Sequence, residues 1–520
     1  MKDARSILVA TTVGGLEALG ALESVLCRAL KARGHQPMVL LCDAALPACL
    51  RLDYSSFPDR LAIVERTISK AICSDCQATG RKIFQHSGAT TLQLGEFLSK
   101  EDRRQAQKFA ESIPMQDIRS CCLEKVPVGE HAFAGALRYF ARGDLEGEPH
   151  GEEILRRYLE AAVLTATGMA KILKTYDFSA ACFNHGIYIP HGVISEVCRL
   201  QGVPISTWNI AYRKQCFIFS HGDTYHHTLM QEPVSAWEQI PWGPRREAKI
   251  EEYLLSRRNG TRDWIWFHEK PENPANNKTI LKQLGLDPAK PLIGLLTNVM
   301  WDAQLHYPAN TFPDMLTWVR QTLEYFRKRP DLQLVIRVHP AEIRGTLPSR
   351  QPLVAELEKI RPTLPSHIRV IRPEDPVSTY AVMEQCNAVI IYGTKTGVEL
   401  TSLGIPVIVA GEAWIRNKGI TLDASTPEEY FRFLDRLPLK EKMSREERTR
   451  ALRYAYHFFF RRMIPLKFME ETKSWPPYRA ALSGPEDLLP GKDRGLDVIC
   501  NGILEGSPFI YPEEEMEPFS

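Results

Sequence analysis

The chain has 520 residues, 44% of them apolar and 25% charged, with a formal net charge of +2 at pH 7. That length suits two or three ordinary domains, and the even charge balance gives no reason to expect bulk nucleic-acid binding. No apolar run approaches the ~18 to 20 residues of a membrane span. The start, Met1-Lys2-Asp3-Ala4-Arg5-Ser6, enters a strand pattern at once. It lacks the apolar region of a signal peptide, so a cytoplasmic location is expected.

Ile7 to Thr12 reads as a buried strand running into Val13-Gly14-Gly15. Glu17 to Arg33 has helical apolar spacing and closes on Gly34, and Pro37 to Cys42 is a second strand. Together they form a βαβ unit. The Gly14-Gly15 turn is not G-x-G-x-x-G. The glycines either allow the turn or let a ligand approach the backbone.

Twelve cysteines are scattered along the chain. Cys27, Cys182, Cys198 and Cys386 fall in apolar patterns, where a thiol behaves as a small hydrophobe. Cys73-Ser74-Asp75-Cys76 is suggestive, with Cys121-Cys122 further on. A zinc site needs a second well-spaced pair, so these read as incidental thiols and no metal is expected.

Residues 53 to 150 look helix-rich and irregular, and a long helix is predicted from Glu152 to Tyr176. Ala180 to Phe183 is then a short strand ending in Asn184-His185-Gly186, followed by a helix from Gly192 to Gln201 and a strand from Pro204 to Trp208. Arg257 to Asn277, charged and rich in Asn and Pro, reads as a linker. A new alternation places strands at Pro291–Leu296, Leu334–Val338, His367–Ile371, Ala388–Ile391 and Pro406–Ala410. Helices are predicted between them at Phe312–Arg329, Leu353–Ile360, Thr379–Gln385 and Gly397–Leu403. Repeated strand–helix pairs imply doubly wound parallel sheets, which bind ligands beyond the carboxyl ends of their strands. The expected fold is α/β, with two doubly wound Rossmann-like domains facing a cleft.

Two strand exits carry the chemistry. At the first, Arg337 offers a cation, His339 can donate to a phosphate oxygen, and Glu342 can accept from a ribose hydroxyl or fix a partner. The plainer reading is a His-Pro turn with a surface ion pair. At the second, Gly393 and Gly397 free the backbone around Thr394, Lys395 and Thr396, ahead of a helix N-terminus suited to an anion. Glu399 lies on that helix's first turn and either satisfies the terminus or accepts from a sugar hydroxyl. No Walker loop and no Asp-x-Asp occurs, so a diphosphate leaving group would be neutralised by the helix dipole, Arg337, His339 and Lys395.

These segments, with Pro373 to Tyr380, Gly404 to Gly411 and Lys418-Gly419-Ile420-Thr421, resemble the capsule polysaccharide biosynthesis family of surface-polysaccharide glycosyltransferases. That family is similar to sialyl- and Kdo-transferases in its His-Pro and Ser/Thr motifs. The resemblance is good over residues 291 to 435, thinner over 180 to 240, and before 150 covers little more than the first βαβ unit. It implies the GT-B architecture and a nucleotide-sugar donor. His339 and Pro340 would then contact the nucleotide and its phosphate. Thr394 and Thr396 stand where relatives bind phosphate, Ser378 and Thr379 lie in a matching stretch, and Glu399 would face the ribose. Lys395 departs from the small or hydroxyl residue expected there. The donor class does not transfer, because relatives use CMP-, CDP- or UDP-linked groups.

The implied division is an acceptor domain with a helical insertion at 1–285 and a donor domain at 286–440. Residues 441–520 would form a C-terminal helix packing back across the domains plus an irregular tail. An inverting transfer needs a base near the acceptor hydroxyl. His185, Asp223 and Asp302 are the candidates, with Glu17 and His221 also placed to be considered. His221, His226 and His227 are poorly spaced for one metal and read as a polar rim or solvated loop. The basic, aromatic stretch Arg445 to Lys467 reads as a packed helix, against the alternative of a membrane-surface one.

The expected activity is a metal-independent, cofactor-free glycosyltransferase with a saccharide or lipid-linked acceptor. Peripheral contact with the inner membrane or with polysaccharide assembly proteins would follow from such an acceptor. The rivals are a nucleotide-sugar 2-epimerase, a CDP-glycerol-type phosphotransferase, and a non-catalytic nucleotide-binding subunit.

Overall fold

The computed structural model describes residues 4–68, 72–264, 280–303, 309–473 and 476–516. The chain divides into two compact units. The first comprises Met1–Phe140, Asp144–Tyr225 and Arg462–Tyr511, and the second Ala141–Gly143, His226–Arg461 and Pro512–Ser520.

In chain order the first unit supplies β1 (Ser6–Thr12), β2 (Gln36–Leu41), β3 (Thr90–Gln93), β4 (Ala180–Asn184), β5 (Ile205–Ile210) and β6 (Cys216–His221). The second supplies β7 (Leu292–Leu296), β8 (Gln333–Arg337), β9 (Ile368–Ile371), β10 (Ala388–Ile391), β11 (Val407–Val409) and β12 (Leu422–Asp423). The chain then returns to the first unit through β13 (Met463–Pro465) and a hairpin of β14 (Met469–Glu471) and β15 (Tyr478–Ala480).

The first sheet runs β13-β6-β5-β4-β1-β2-β3. Its β3-β2-β1-β4-β5 portion is parallel, while β6 and β13 add on antiparallel. The second runs β12-β11-β10-β7-β8-β9 and is parallel throughout. In each, the first strand lies centrally and the chain winds out one way and then the other. Both units are thus α/β and doubly wound, with switch points between β1 and β4 and between β7 and β10.

The apolar runs become strands because both sheet faces are covered, and every residue of β4, β7, β8 and β10 is buried. Around the first sheet pack Leu8, Leu40 and Phe183 with the 25-residue helix Gly151–Thr175. Around the second pack Ile293, Ile336, Ile390 and Trp318, whose indole N–H donates to the Tyr430 hydroxyl at 3.1 Å.

Three sequence expectations change. His221, read as part of a polar rim or solvated loop, instead ends the strand Cys216–His221, which pairs with β5 from Ile210↔Phe217 to Ser206↔His221. Arg445 to Lys467 is not one helix: the helix covers Arg445–Tyr456, a π-turn follows to Arg462, and Met463–Pro465 pairs with β6. Tyr454, Tyr456, Phe458 and Phe459 are all buried, which accounts for aromatics on every side of that stretch. The tail is also ordered in part. Helix Arg494–Glu505 is capped by Asp493 and stopped by Gly506 at φ 73°, and it buries Leu496, Ile499, Cys500 and Ile503.

Of the expected linker, Arg257 is the buried last residue of helix Pro244–Arg257, and residues 265–279 lie outside the described residues. Among the described residues no helix is long and apolar enough to cross a membrane.

Candidate functional site

At the second unit's switch point, short polar side chains bind three strand exits together. The Thr297 hydroxyl accepts from the His339 N–H at 3.1 Å and lies 3.4 Å from the Arg337 carbonyl. The Asn298 side-chain Oδ1 accepts from the Gly393 N–H at 3.2 Å. The turn after β8 and the turn after β10 therefore flank the exit of β7 in a fixed register. Sequence reasoning passed over Thr297 and Asn298. Their signal was present, since polar residues directly follow a buried strand that proves to be central.

His339 is half-buried, and its Nδ1 accepts from the Ala341 N–H at 3.0 Å. A backbone amide can only donate, so the neutral ring carries its proton on Nε2. Pro340 caps the short helix Ala341–Arg344. Thr394 is buried, its hydroxyl lies 3.1 Å from that of Thr396, and it also accepts from the Thr396 N–H at 3.3 Å. Gly397 has a packing reason as well. A Cβ there would stand 2.6 Å from Ile391 Cδ1 and 3.0 Å from Ile415 Cγ2.

The charged residues of the expected site are largely occupied within the unit. Arg337 is 2% exposed and donates to the Arg372 carbonyl, the Thr379 hydroxyl at 3.3 Å and the Asp375 carbonyl at 3.5 Å. It pins the loop after β9. Burial pulls its guanidinium down to about 10, so it stays a cation at neutral pH. Ser378 caps helix Thr379–Met383, accepting from the Ala381 N–H at 3.2 Å. The Glu342 carboxylate fixes a partner, accepting from the Leu353 N–H at 3.3 and 3.4 Å at the start of helix Leu353–Ile360. Burial raises that carboxyl to about 7.

Glu399, expected to face a ribose, is instead at the centre of a buried network. Its Oε1 lies 3.2 Å from Arg257 Nε and 2.8 Å from Lys395 Nζ, and the Tyr380 hydroxyl donates to its Oε2. Arg257 also pairs with Asp263, to which the Tyr253 hydroxyl donates at 2.7 Å. Burial pushes the Glu399 carboxyl up, but Arg257 and Lys395 outweigh it and hold it at about 2. Burial and the nearby Arg257 charge move Lys395 down. Lys395 thus departs from the expected small residue for a visible reason: it neutralises Glu399. Arg257 lies 142 positions from Glu399, and no local pattern could have joined them.

The base candidates fall in different units. At the first unit's switch point Thr12 and His185 both adopt left-handed backbone, with φ 54° and 60°. His185 is half-buried beside Tyr188 and Tyr225, and burial lowers its imidazole to about 3. It is neutral, as a base must be, but weakly basic. Asp223 pairs with Arg199 at 3.3 Å and caps the Thr224 N–H at 2.6 Å. Asp302 is exposed, beyond the exit of β7 in the second unit. Glu17 is exposed and lines a groove of about 460 Å³ with Arg28 and Tyr478.

The three nearby histidines have three separate partners. His221 lies 2.9 Å from the Ser507 carbonyl and stacks on Phe509, His226 lies against Trp414, and His227 is 3.4 Å from Glu412. Lys418 is buried and donates to the Met230 and Glu232 carbonyls at 3.0 and 2.7 Å.

No family model and no curated protein matches this chain. Solved structures match at low identity. The KpsC β-Kdo 2,4-transferase of Thermosulfurimonas dismutans is 15% identical, with a TM-score of 0.35 over 53% of this chain and 79% of that one. The KpsC β-Kdo 2,7-transferase of the same organism is 12% identical, with a TM-score of 0.33 over 62% and 88%. A putative UDP-N-acetylglucosamine 2-epimerase from Listeria monocytogenes is 11% identical, with a TM-score of 0.29 over 98% and 99%. At these values the likenesses do not bear on activity.

Proposed function

We propose that the chain is a metal-independent glycosyltransferase. It would move a sugar from a nucleotide-sugar donor to a surface polysaccharide or glycolipid acceptor, in capsule or lipopolysaccharide biosynthesis. The observation that carries this reading is the registered switch point of the second sheet, where His339 has its ring proton on Nε2 and the Thr394–Thr396 hydroxyls lie across the exit of β7. Ligands of doubly wound sheets bind at that position.

In this reading the donor phosphate is met by His339 Nε2–H and by the hydroxyls and amides of the Thr394–Gly397 turn. Arg337 and Lys395 act one step back, by fixing the loops that present those donors. The second unit, which holds residues 286–440, would take the donor and the first unit the acceptor. The acceptor proton would go to His185 or Asp302, with Asp223 less suited because its carboxylate is paired with Arg199.

Calorimetry of the wild type and His339→Ala against CMP, CDP, UDP and GDP tests the donor site. One nucleotide should bind the wild type. His339→Ala should bind it about 10- to 100-fold more weakly, the loss of one hydrogen bond to a charged group, with an unchanged circular dichroism spectrum. Equal affinity in the variant would overturn the assignment. Binding of none of the four would favour a non-catalytic subunit, and isomerisation of a donor without acceptor would favour an epimerase.

A further inference from the structure

Helix Glu17–Ala32, which follows the exit of β1, forms one wall of the open groove of about 460 Å³ on the first unit. The facing wall is the chain from β15 onward, and two contacts fix its course. The buried Tyr478 hydroxyl donates to the Ala18 carbonyl in the helix's first turn. At the other end Arg33, the helix C-cap, donates to the Leu488 carbonyl at 2.7 Å and pairs with Asp497 at 2.5 Å. Residues 478 to 488 therefore run beside the helix from its first turn to its last. Ile83 also lines the groove and is seated on the same helix, since a Cβ on Gly20 would stand 2.9 Å from its Cδ1.

Glu17, Ala21, Ser24 and Arg28 line the helical wall, a spacing of four, three and four that makes one stripe of the helix. Glu17 and Arg28 stand about 16 Å apart along the helix axis. Among the described residues neither of these two side chains has a hydrogen-bond or ion-pair partner. From the facing wall comes Arg479, which is exposed and pairs with the exposed Glu470 at 3.1 Å. An exposed pair of that kind contributes little, so Arg479 can exchange its partner at small cost. Ala21, Ala480 and Gly484 keep the lining shallow between these polar groups. A flat, hydroxyl-rich ligand fits such a surface better than a protein partner, whose anchoring side chains need deep, desolvated pockets.

We propose that this groove binds an acidic oligosaccharide, a chain of sugars that carries carboxylate groups. The proposal rests on the glycosyltransferase reading, in which the occupant is the part of the acceptor already built. Arg28 and Arg479 pair with the carboxylates of the chain, for which the planar guanidinium fork is suited. Glu17 accepts from sugar hydroxyls and repels carboxylates from its own end, which orients the chain. The Ser24 hydroxyl donates to the Ala21 carbonyl at 3.2 Å and keeps its lone pairs for a sugar hydroxyl. Glu17 opens the helix just beyond the exit of β1, so its end of the groove lies on the carboxyl side of the first sheet, where the acceptor terminus is needed.

Calorimetry on the full chain at low salt, with hexagalacturonate, digalacturonate, maltohexaose and hexaglutamate, tests the proposal. Hexagalacturonate should bind. The other three should bind at least about 10-fold more weakly, because each lacks the length, the charge or the hydroxyls that the groove meets. Arg28→Ala and Arg479→Ala should each weaken hexagalacturonate about 10-fold. Arg104→Ala, which removes an exposed ion pair outside the groove, should leave it unchanged. Circular dichroism identifies any variant that fails to fold, and the ligand series on the wild type decides independently of the variants. Three results would overturn the proposal: no hexagalacturonate binding by the wild type, undiminished binding by folded Arg28→Ala and Arg479→Ala, or equal affinity for any of the other three ligands. Nucleotide binding separates this proposal from the reading beneath it. A nucleotide bound without the saccharide would overturn the groove alone, whereas the saccharide bound without any nucleotide would support the groove and overturn the transferase.

Discussion

Arg257→Ala is the sharpest perturbation of the second unit. Arg257 is buried between two carboxylates, Glu399 and Asp263, and its guanidinium lies 5.0 Å from the Phe459 ring centre. Removing one partner of a buried ion pair costs about 3–5 kcal/mol, because the other charge remains without compensation. Lys395 still meets Glu399 at 2.8 Å and Tyr253 still donates to Asp263 at 2.7 Å, so the lower end, about 3 kcal/mol, is expected at pH 7. The pH dependence carries a second signature. Burial raises the Glu399 carboxyl but Arg257 and Lys395 win, taking it from 4.5 to about 2. A depressed carboxyl contributes stability above its unfolded value and loses it as pH falls toward the folded one. That contribution, about 3 kcal/mol in the wild type, should shrink in the variant because one of its two cations is gone. The two proteins should therefore differ most near neutrality and converge as pH falls below about 4. Urea unfolding at pH 7 and pH 3.5 measures the gap, and hydrogen exchange in helix Thr396–Ser402 locates it. A gap below about 0.5 kcal/mol at pH 7, the range of ordinary surface substitutions, would refute the buried network. So would a gap that does not narrow in acid.

Other outcomes follow from single side chains. Glu23 is fully buried, accepting from Thr11 and from the Trp208 indole at 2.8 Å, and burial raises its carboxyl to about 7. A raised carboxyl favours the folded state while protonated, and this stability is lost as pH rises from the unfolded value through 7. Glu23→Gln should thus raise the thermal midpoint at pH 8.5 and change it little at pH 5; the reverse order would show the carboxylate to be stabilising. Gly397→Ala should lower stability by about 1–3 kcal/mol through overpacking against Ile391 and Ile415, read as a lower midpoint in urea.

Much of the fold was legible because its signals are local. Parallel strands covered on both faces read as apolar runs, and Leu334–Val338 and Ala388–Ile391 stood out for that reason. Helix Leu353–Ile360 was readable to its ends. The place of His221 was not, since it was read with His226 and His227 as a rim or loop and only pairing with β5 makes it a strand end. The roles of charged residues were harder still. Arg337, Glu342 and Glu399 stand where a ligand-binding reading put them, yet each is committed to a partner in the folded unit.

By itself, then, the sequence determined the alternation of strands and helices, the polar residues at their exits and the His-Pro turn, all consequences of periodicity and backbone chemistry over a few neighbouring residues. The tertiary structure alone decided which side chains meet. It set Arg257 against Glu399, Thr297 against His339 and Asn298 against Gly393. These are contacts between distant segments, and chain winding around two central strands fixes them, which no local pattern encodes.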